Sequence, residues 1–369
     1  MIHSSYVSNY DKFPEVVVAG HEGAACAGWH EIARRLQAAA DGQGGARVVL
    51  VIDCYHGVDQ DELRSQLLAK LGPHTLIKVE QARLPESKVL AMLDRFITED
   101  RVFGVLAPHK MVEFFDPAAL ASLQRQVAEI TGGLVVVMGS GASLVARGDV
   151  RVYADLARWE IQQRLRCKEL GNWGAQNEEE DILRRYKRAF FIEWRVFDRH
   201  KLAQLPTIDF LLDTNTRGKP TLMTGQALLA GLHQAARQPF RVVPFFDPGV
   251  WGGQWMKQVC DLDPAQPNYA WCFDCVPEEN SLYLRIGEVR VEIPSQNLVL
   301  CQPSALLGER VHARFGAEFP IRFDFLDTVW GQPLSLQVHP LTEYIQQEFG
   351  MHYTQDESYY MLDAAPDAC

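Results

Sequence analysis

The sequence lacks an excess of positive charge. Its 36 lysine and arginine residues are outnumbered by 47 aspartate and glutamate residues, which gives a formal net charge of -11. A chain with this excess of negative charge has no overall electrostatic attraction for a nucleic-acid backbone or for an anionic membrane surface. We therefore expect neither nucleic acid nor a membrane among its partners.

Long apolar runs and a secretory signal are also missing. The longest charge-free stretches, 131–146 and 220–236, are diluted by Gly, Ser, Thr, Gln or His and fall short of a bilayer span. The amino terminus has no basic start followed by an apolar core and a small-residue cleavage site. We expect a cytoplasmic protein. Its eight cysteines have no framework spacing and suit reduced thiols in that compartment.

The 369 residues suit two domains. In the first part of the chain, apolar runs alternate with helical patterns; these runs are 15–20, 46–53, 101–108, 132–139 and 151–156. Continuous Val, Ile and Leu runs between helices indicate a parallel sheet covered on both faces. We predict an α/β domain with a doubly wound parallel sheet over 1–214, and a linker with one bridging helix over 215–238.

The remaining residues, 239–369, show a rhythm of short strands separated by Gly and Pro. The strand-like runs are 240–246, 269–275, 281–293, 296–303, 320–327, 334–340 and 358–364. This pattern is typical of an antiparallel sandwich or barrel. We therefore predict a second domain of β class.

The turn after the first apolar run, VVVAGHEGAACAGWHEIARRL, places Gly20 and Gly23 between a predicted strand and a predicted helix. A P-loop uses glycines there so that backbone N–H groups can wrap phosphates. In position the segment resembles the P-loop of uridine-kinase-like proteins, and DCYHG (53–57) and 151–170 look like that family's second strand end and its arginine-bearing lid. The resemblance implies a P-loop NTPase-like fold in which Gly20 and Gly23 bind phosphate or nucleotide.

The chemistry of a working P-loop is absent from this turn. Cys26, Ala27 and Gly28 stand where the lysine and the hydroxyl-bearing residue would be. Without them nothing evident neutralises the charge on a transferring phosphoryl group. We therefore expect an inactive kinase-like domain that serves as a scaffold or as a weak anion-binding remnant at a helix N-terminus. An active nucleoside or sugar kinase is the less favoured alternative.

Metal-ligand residue types occur together near the end of the sequence. Alternation along an extended LSLQVHP would put Ser335, Gln337 and His339 on one face, and the same rule in DESYYML puts Glu357 on one face with Tyr359. If the two strands are neighbours, Gln337, His339 and Glu357 can converge on a metal ion. On spacing alone, a hydrogen-bonded polar pair is the alternative for Gln337 and His339.

The stretch PLSLQVHPLTEYIQQEFGMHYTQDESYYMLDAAPDA closely resembles the signature of type I mannose-6-phosphate isomerases, and 245–256 and 319–328 are similar to upstream segments of that family. The resemblance implies a cupin-type, RmlC-like jelly-roll barrel over 239–369 in which Gln337, His339 and Glu357 bind zinc. It implies interconversion of mannose 6-phosphate and fructose 6-phosphate through an enediolate, an activity of carbohydrate metabolism with zinc as Lewis acid. Trp251 and Ser335 are candidate substrate-binding residues, and the catalytic base is unassigned.

The sequence departs from this isomerase family at several points. The family's fourth ligand is a second histidine further along, so we expect a missing C-terminal segment of the same protein to complete the site. The alternatives are that the family's second half has been lost, or that His352 is the fourth ligand. Asp324 and Gln355 stand where the family tends to have lysines. A non-catalytic sensor of a sugar phosphate or a nucleotide is therefore the alternative to an isomerase.

Overall fold

The computed structural model describes residues 7–366 and residue 368. Its strands are β1 (Glu15–Val17), β2 (Ala25–Ala27), β3 (Arg47–Cys54), β4 (His74–Lys78), β5 (Gly133–Gly139), β6 (Val150–Asp155), β7 (Phe210–Asp213), β8 (Thr221–Thr224), β9 (Phe245–Asp247), β10 (Trp271–Cys275), β11 (Ser281–Ile286), β12 (Val289–Pro294) and β13 (Phe323–Leu326).

The helices lie between these strands and near the end of the chain. The α-helices are α1 (Trp29–Asp41), α2 (Gln60–Glu62), α3 (Glu86–Ile97), α4 (Pro117–Glu129), α5 (Arg158–Arg166), α6 (Ile182–Arg188), α7 (Trp194–Gln204), α8 (Gly225–Ala235), α9 (Trp255–Val259), α10 (Gln296–Cys301), α11 (Pro303–Leu307), α12 (Glu309–Phe315) and α13 (Thr342–Phe349). Short 3-10 segments are Leu68–Lys70, Val79–Ala82, Met111–Phe114, Ala142–Leu144 and Leu205–Thr207, and π segments are Leu63–Leu67 and Ala189–Glu193. Within the described residues, no helix has the length and apolar character needed to cross a membrane.

A seven-stranded sheet forms the centre of the molecule, with the order β2-β8-β7-β6-β3-β5-β4. The neighbouring strands from β7 to β4 are all parallel, whereas β8 is antiparallel to both β7 and β2. The prediction of an α/β domain is confirmed, but its sheet is mixed rather than parallel. Strand β8 is antiparallel because only a short connection joins it to β7, whereas a parallel neighbour would need a long crossover.

Strand β3 lies in the middle of this sheet because its sequence, RVVLVIDC, is almost continuously apolar. Every residue of β3 after Arg47 is buried, and so are the last five residues of β5. A near-continuous apolar run is typical of a strand that is covered on both faces. Asp53 is the exception in β3, and it lies next to the carboxyl end of the strand.

The first apolar run does not enter the seven-stranded sheet. Strand β1 pairs in parallel with β11, and β11 pairs antiparallel with β12, so that these strands form a separate three-stranded sheet. The run at 101–108 forms no strand. Strand β4, which was not predicted, takes the outer position next to β5 because its HTLIK sequence carries only a weak apolar pattern.

The segment predicted as a linker, 215–238, belongs instead to the central core. It supplies β8 and α8, and Leu222, Met223, Leu228 and Leu232 are completely buried there. The hairpin β11–β12 packs against the same core through its inward apolar side chains. Gly218 and Pro220 therefore lie in a short connection between β7 and β8 inside one packed unit.

The C-terminal part contains antiparallel sheet, as predicted, but the described residues form no closed barrel. Strands β13, β10 and β9 make a three-stranded antiparallel sheet. The run at 296–303 forms a helix instead of a strand, and the runs at 334–340 and 358–364 form no strand. Their apolar side chains lack a covering layer: Leu336 is 94% exposed and Val338 is 87% exposed.

Candidate functional site

The residues predicted to bind metal share one surface pocket of about 560 Å³. Two extended segments form this pocket, one before α13 and one after it. The predicted residues that line it are Ser335, Gln337, His339 and Glu357. The structure therefore brings the three predicted ligands into one cavity, although the segments that carry them are not paired as strands.

The imidazole of His339 is held by two oxygen atoms. Its Nδ1 lies 3.1 Å from the backbone carbonyl oxygen of Gln355, so Nδ1 donates to that carbonyl, which can only accept. Its Nε2 lies 2.7 Å from Oε2 of Glu357. With Nδ1–H anchored to a carbonyl, as in many metal-binding histidines, Nε2 is the nitrogen that could bind a metal in place of its direct contact with Glu357.

The carboxylate of Glu357 is oriented from its other side. The hydroxyl of Tyr359 donates to Oε1 of Glu357, and this hydrogen bond raises the pKa of Tyr359. Oε2 is thereby left to face His339. Both candidate ligands thus have an outer partner that fixes their direction, as ligands of metal centres commonly do.

Trp251, predicted to contact substrate, is not among the residues that line this pocket. Its side chain is buried, with 7% of the residue exposed, and its ring packs edge-on against Trp271 with 4.7 Å between the centroids. Its carbonyl oxygen accepts a hydrogen bond from the backbone N–H of Gln332 at 3.1 Å. Trp251 therefore fixes the turn that leads into the pocket segment, and does not reach the pocket itself.

The glycines predicted to bind phosphate lie on the wrong side of the central sheet. Gly20 and Gly23 precede β2, which runs in the same direction as β7, so they lie at the amino ends of these strands. The backbone N–H of Gly20 donates to Oε1 of Glu22 at 3.0 Å. An anion at this turn would meet a carboxylate that already occupies the donor. The strand before the turn, β1, belongs to another sheet, and phosphate binding at Gly20 and Gly23 stays a prediction.

A polar cluster that the sequence analysis missed lies at the carboxyl ends of β3 and β5. Asp53 accepts backbone N–H groups from Gly141 at 2.8 Å and Ser143 at 3.0 Å, and the hydroxyl of Ser143 at 2.6 Å. Nε2 of His200 lies 2.8 Å from the same carboxylate. Asp53 is 3% exposed and His200 is 8% exposed. An acid at the end of a buried apolar run, VVLVID, was the sequence signal for this cluster.

The electrostatics of this cluster favour an ion pair. Burial alone would raise the pKa of Asp53, but the charge of His200, its hydrogen bond and the Ser143 donors hold that pKa below its ordinary value. Burial alone would lower the pKa of His200, and Asp53 raises it above the ordinary value instead. Each group therefore stabilises the charged form of the other.

The same cluster does not have the geometry of a nucleophilic triad. Ser143 Oγ lies 3.1 Å from Nε2 of His200, the nitrogen that also meets Asp53. A triad needs one imidazole nitrogen for the serine and the other for the carboxylate, so that the ring can pass a proton between them. Asp53, Ser143 and His200 therefore close the loop after β5 onto β3, and do not form a hydrolase site.

The crevice beside this cluster is filled by the chain's own side chains. Lys201 Nζ lies 3.1 Å from each carboxylate oxygen of Asp155, and Asn297 Nδ2 donates to the same carboxylate at 2.9 Å. All three residues are at most 1% exposed. In open α/β sheets, ligands bind outside the carboxyl ends of the strands. Here α10 delivers Asn297 into that position.

A second pocket, of about 570 Å³, lies near the same carboxyl edge. The charged residues that line it are Asp59, Asp61, Glu62 and Arg217. Arg217 is itself paired with Glu169 at 3.0 Å. Because carboxylates outnumber the single guanidinium, this pocket repels phosphate groups rather than attracting them.

No group of three or more His, Cys, Asp or Glu side chains within residues 7–366 and 368 could hold a metal ion. The predicted centre contains one histidine and one carboxylate, so it depends on the amide oxygen of Gln337 as its third donor. Catalytic zinc sites commonly have three protein ligands and one open position. Gln337, His339 and Glu357 match that number of ligands, and His339 and Glu357 are of the types that zinc commonly takes.

The fold and these sites define a mixed α/β protein. Its own buried side chains fill the crevice at the carboxyl ends of the central strands, and a separate pocket contains His339 and Glu357. Sequence comparison then gives the family: a family model with the description "Domain of unknown function (DUF8485)" matches residues 28–237. The match covers more than half of the chain, and the chain belongs to this family. No curated protein matches the sequence. The matched segment contains Asp53, Ser143 and His200, and excludes the pocket with His339 and Glu357.

Proposed function

We propose that the pocket at 334–359 is the metal centre of a zinc-dependent aldose–ketose isomerase acting on mannose 6-phosphate and fructose 6-phosphate. The observation that carries the proposal is the approach of His339 Nε2 to Glu357 Oε2, at 2.7 Å, in a pocket that Gln337 also lines. The resemblance of the same segment to type I mannose-6-phosphate isomerases supports the choice of reaction.

The donor chemistry is compatible with zinc. An imidazole, a carboxylate and an amide oxygen leave much of the positive charge of the ion uncompensated, because only one ligand is anionic. When bound, zinc supplies a Lewis acid that stabilises the negative charge of an enediolate. The backbone carbonyl of Gln355 and the hydroxyl of Tyr359 orient the two ligands, as described above.

The chain's own residues in this pocket favour a polyhydroxylated substrate. Ser335 and Tyr359 line the pocket with hydroxyl groups, and Gln337 and Asp356 add an amide and a second carboxylate. These groups can accept and donate hydrogen bonds to sugar hydroxyls. The cupin barrel that the isomerase resemblance implies belongs to the same proposal, since it would pair the two extended segments as strands.

Metal analysis with matched variants tests the ligand assignment. We expect the protein to bind zinc, and His339→Ala and Glu357→Gln to weaken zinc binding by at least about 100-fold, because loss of a partner outside the ligand shell already weakens metal affinity by about 10-fold to 100-fold. His233→Ala and Glu343→Gln are matched controls on exposed helical positions and should retain zinc. Zinc content is measured by mass spectrometry after dialysis against limiting metal.

A coupled assay for fructose 6-phosphate formation from mannose 6-phosphate tests the reaction on the same samples. Full zinc content in Glu357→Gln would contradict the ligand assignment. Zinc binding that depends on His339 and Glu357 without any turnover would replace the isomerase by the alternative, a non-catalytic sugar-phosphate sensor. Turnover that both variants lose together with zinc supports the proposal.

A further inference from the structure

The pocket of about 570 Å³ described above is a second candidate ligand site, and the zinc proposal makes no use of it. It lies where the carboxyl ends of β2, β3 and β7 lead into Trp29, Asp59 and Arg217. Ligands of open α/β sheets bind outside such strand ends, at the point where the connections from two neighbouring strands leave in opposite directions. Strands β3 and β6 form such a point, because the chain continues from β3 to β4 on one side and from β6 to β7 on the other.

Carboxylates outnumber cations in this pocket, which we call the acidic pocket. The charged residues that line it are Asp59, Asp61, Glu62 and Arg217. Arg217 lies 3.6 Å from Oδ2 of Asp59 and 3.0 Å from Oε2 of Glu169. Asp61 is paired with Arg64. When these neighbours are included, four acids still face only two guanidinium groups. An excess of negative charge raises the local concentration of cations.

Backbone hydrogen bonds hold two of these carboxylates in place. Oδ1 of Asp59 accepts the N–H of Glu62 at 3.0 Å, and Oε1 of Glu62 accepts the N–H of Gly218 at 2.6 Å. Each of these bonds uses one carboxylate oxygen. An ionised carboxyl group has two oxygens with about four acceptor positions in all. Both side chains can therefore accept hydrogen bonds from a ligand without losing the bonds that orient them.

Trp29 adds an aromatic wall and an unused hydrogen-bond donor. The residue is 8% exposed, and its indole N–H is buried without a hydrogen-bond partner in the described part of the chain. Buried indole N–H groups usually have a partner, because an unpaired buried donor is costly. Among aromatic side chains, the indole also attracts organic cations most strongly. A ligand with both a cationic group and a hydrogen-bond acceptor would use both properties of Trp29.

The spacing of the acids favours an organic cation over a metal ion. Within residues 7–366 and 368, no three side chains of the types His, Cys, Asp and Glu are grouped as metal ligands, and this holds for Asp59, Asp61 and Glu62. A primary ammonium group has three donors and can bond to separate carboxylates. Its carbon skeleton can also carry the oxygen that the indole N–H of Trp29 lacks.

We propose that the acidic pocket binds a primary amine that also carries an oxygen acceptor. Its ammonium group is bound by Asp59, Asp61 and Glu62, and its oxygen accepts the indole N–H of Trp29. A free amino alcohol and a lysine side chain of a peptide share this chemistry. The lining residues of the pocket lie within 28–237, so the site belongs to the family domain and shares no residue with the zinc pocket.

Titration of the full chain with ethanolamine, followed by NMR of the indole N–H groups, tests the site. The signal of Trp29, assigned by its loss in Trp29→Phe, should move to saturation because the N–H gains an acceptor. Ethylene glycol and glycolate keep the hydroxyl group but replace the ammonium by a neutral and by an anionic group, so they should leave this signal in place. A parallel titration with Nα-acetyl-lysinamide separates the two sources: tighter binding of ethanolamine assigns the site to a free amino alcohol, and the reverse order assigns it to a basic side chain.

Calorimetry of charge variants keeps the test decisive if Trp29→Phe does not fold. Asp61→Asn and Glu62→Gln should each weaken ethanolamine binding about two- to fivefold, as expected for partly exposed ion pairs. Asp94→Asn, at an exposed position of α3, is the matched control and should bind as the wild type. Trp29→Phe keeps an aromatic ring without the N–H and should weaken binding about two- to tenfold. A Trp29 signal that does not move, equal affinity for ethylene glycol, or unchanged affinity in both charge variants would each overturn the proposal.

Discussion

At the scale of single residues, the central domain depends on charges that are buried in pairs. His200 meets Asp53 at 2.8 Å, and both side chains are almost completely enclosed. Removal of one member leaves the other charged in a low-dielectric environment, and such a loss costs about 3 to 5 kcal/mol. Loss of one member of the pair is therefore expected to destabilise the fold by more than the intact pair stabilises it.

We expect His200→Gln to lower the free energy of unfolding by about 3 kcal/mol at mildly acidic pH. The pKa of His200 is raised in the folded protein, so its contribution is complete below the ordinary histidine pKa and is lost as pH rises through the raised value. Urea unfolding near about pH 5.5 and about pH 8.5 measures the effect. His233→Gln, on the exposed face of α8, is the control, and an equal loss at both pH values would contradict the ion pair.

The residue scale also shows how far the sequence could identify the site. Gln337, His339 and Glu357 were recognisable because ligand types occurred at strand spacing in a segment with a family resemblance. Asp53, Ser143 and His200 were not, because they come from three distant positions that only the sheet order brings together. Gly20 and Gly23 follow a strand, β1, that belongs to another sheet, and the sequence around this turn does not show which sheet that strand joins.

At the scale of secondary-structure elements, the junction between β8 and α8 is the most tightly constrained. A methyl group at Gly225 would lie 2.1 Å from the carbonyl oxygen of Ile208, and the N–H of Gly225 donates to the carbonyl of Asp209 at 2.8 Å. The helix therefore begins directly against the turn that leads into β7. This close approach explains how a segment with the composition of a linker becomes part of the core.

We expect Gly225→Ala to destabilise the protein by about 2 kcal/mol or more, because the added methyl group displaces backbone rather than a flexible side chain. Gly23→Ala is the matched control: no heavy atom lies within 4 Å of a methyl group there. Thermal unfolding followed by circular dichroism compares the two variants. Similar melting temperatures for both would mean that α8 can shift away from Ile208 without loss.

The elements that could be predicted are those whose apolar pattern is strong and local. Strands β3, β5 and β6 followed from continuous apolar runs, and β10 to β13 from short runs between turns. The run at 296–303 forms a helix instead, in which Leu298 packs into the central apolar cluster and Asn297 bonds Asp155. The segments 334–340 and 358–364 have strand-like sequences, but a strand forms only beside a partner strand. The local sequence does not show whether such a partner is present.

At the scale of the whole molecule, the segment matched by the family model is not a self-sufficient core. A methyl group on Gly231 of α8 would meet Leu284 of β11 at 2.9 Å and Val18 at 3.0 Å, and both of these residues lie outside 28–237. Leu282, Ile286 and Ile293 belong to the same buried cluster. Full burial of side chains of this kind contributes about 2 kcal/mol each. The hairpin β11–β12 therefore covers one side of the central core.

We expect a fragment of residues 28–237 to expose this apolar surface. It should bind the dye anilinonaphthalene sulfonate and unfold at a lower temperature than the full chain, because the inner face of β11–β12 is missing. Dye fluorescence and thermal unfolding of the two proteins under identical conditions check this. A fragment that binds no dye and melts with the full chain would show that the family domain covers α8 by other means.

The pairing of β1 with β11 also has a consequence for biosynthesis. Glu15 on β1 and Arg285 on β11, whose side chains are hydrogen-bonded, are 270 positions apart in the chain. At the usual rate of translation, about 5 to 20 residues per second, the first strand leaves the ribosome roughly 15 to 50 s before its partner exists. Val16 and Val18 remain without their native cover during that interval. The pairing of β1 with β11 can therefore form only late in synthesis, after most of the central sheet has been made.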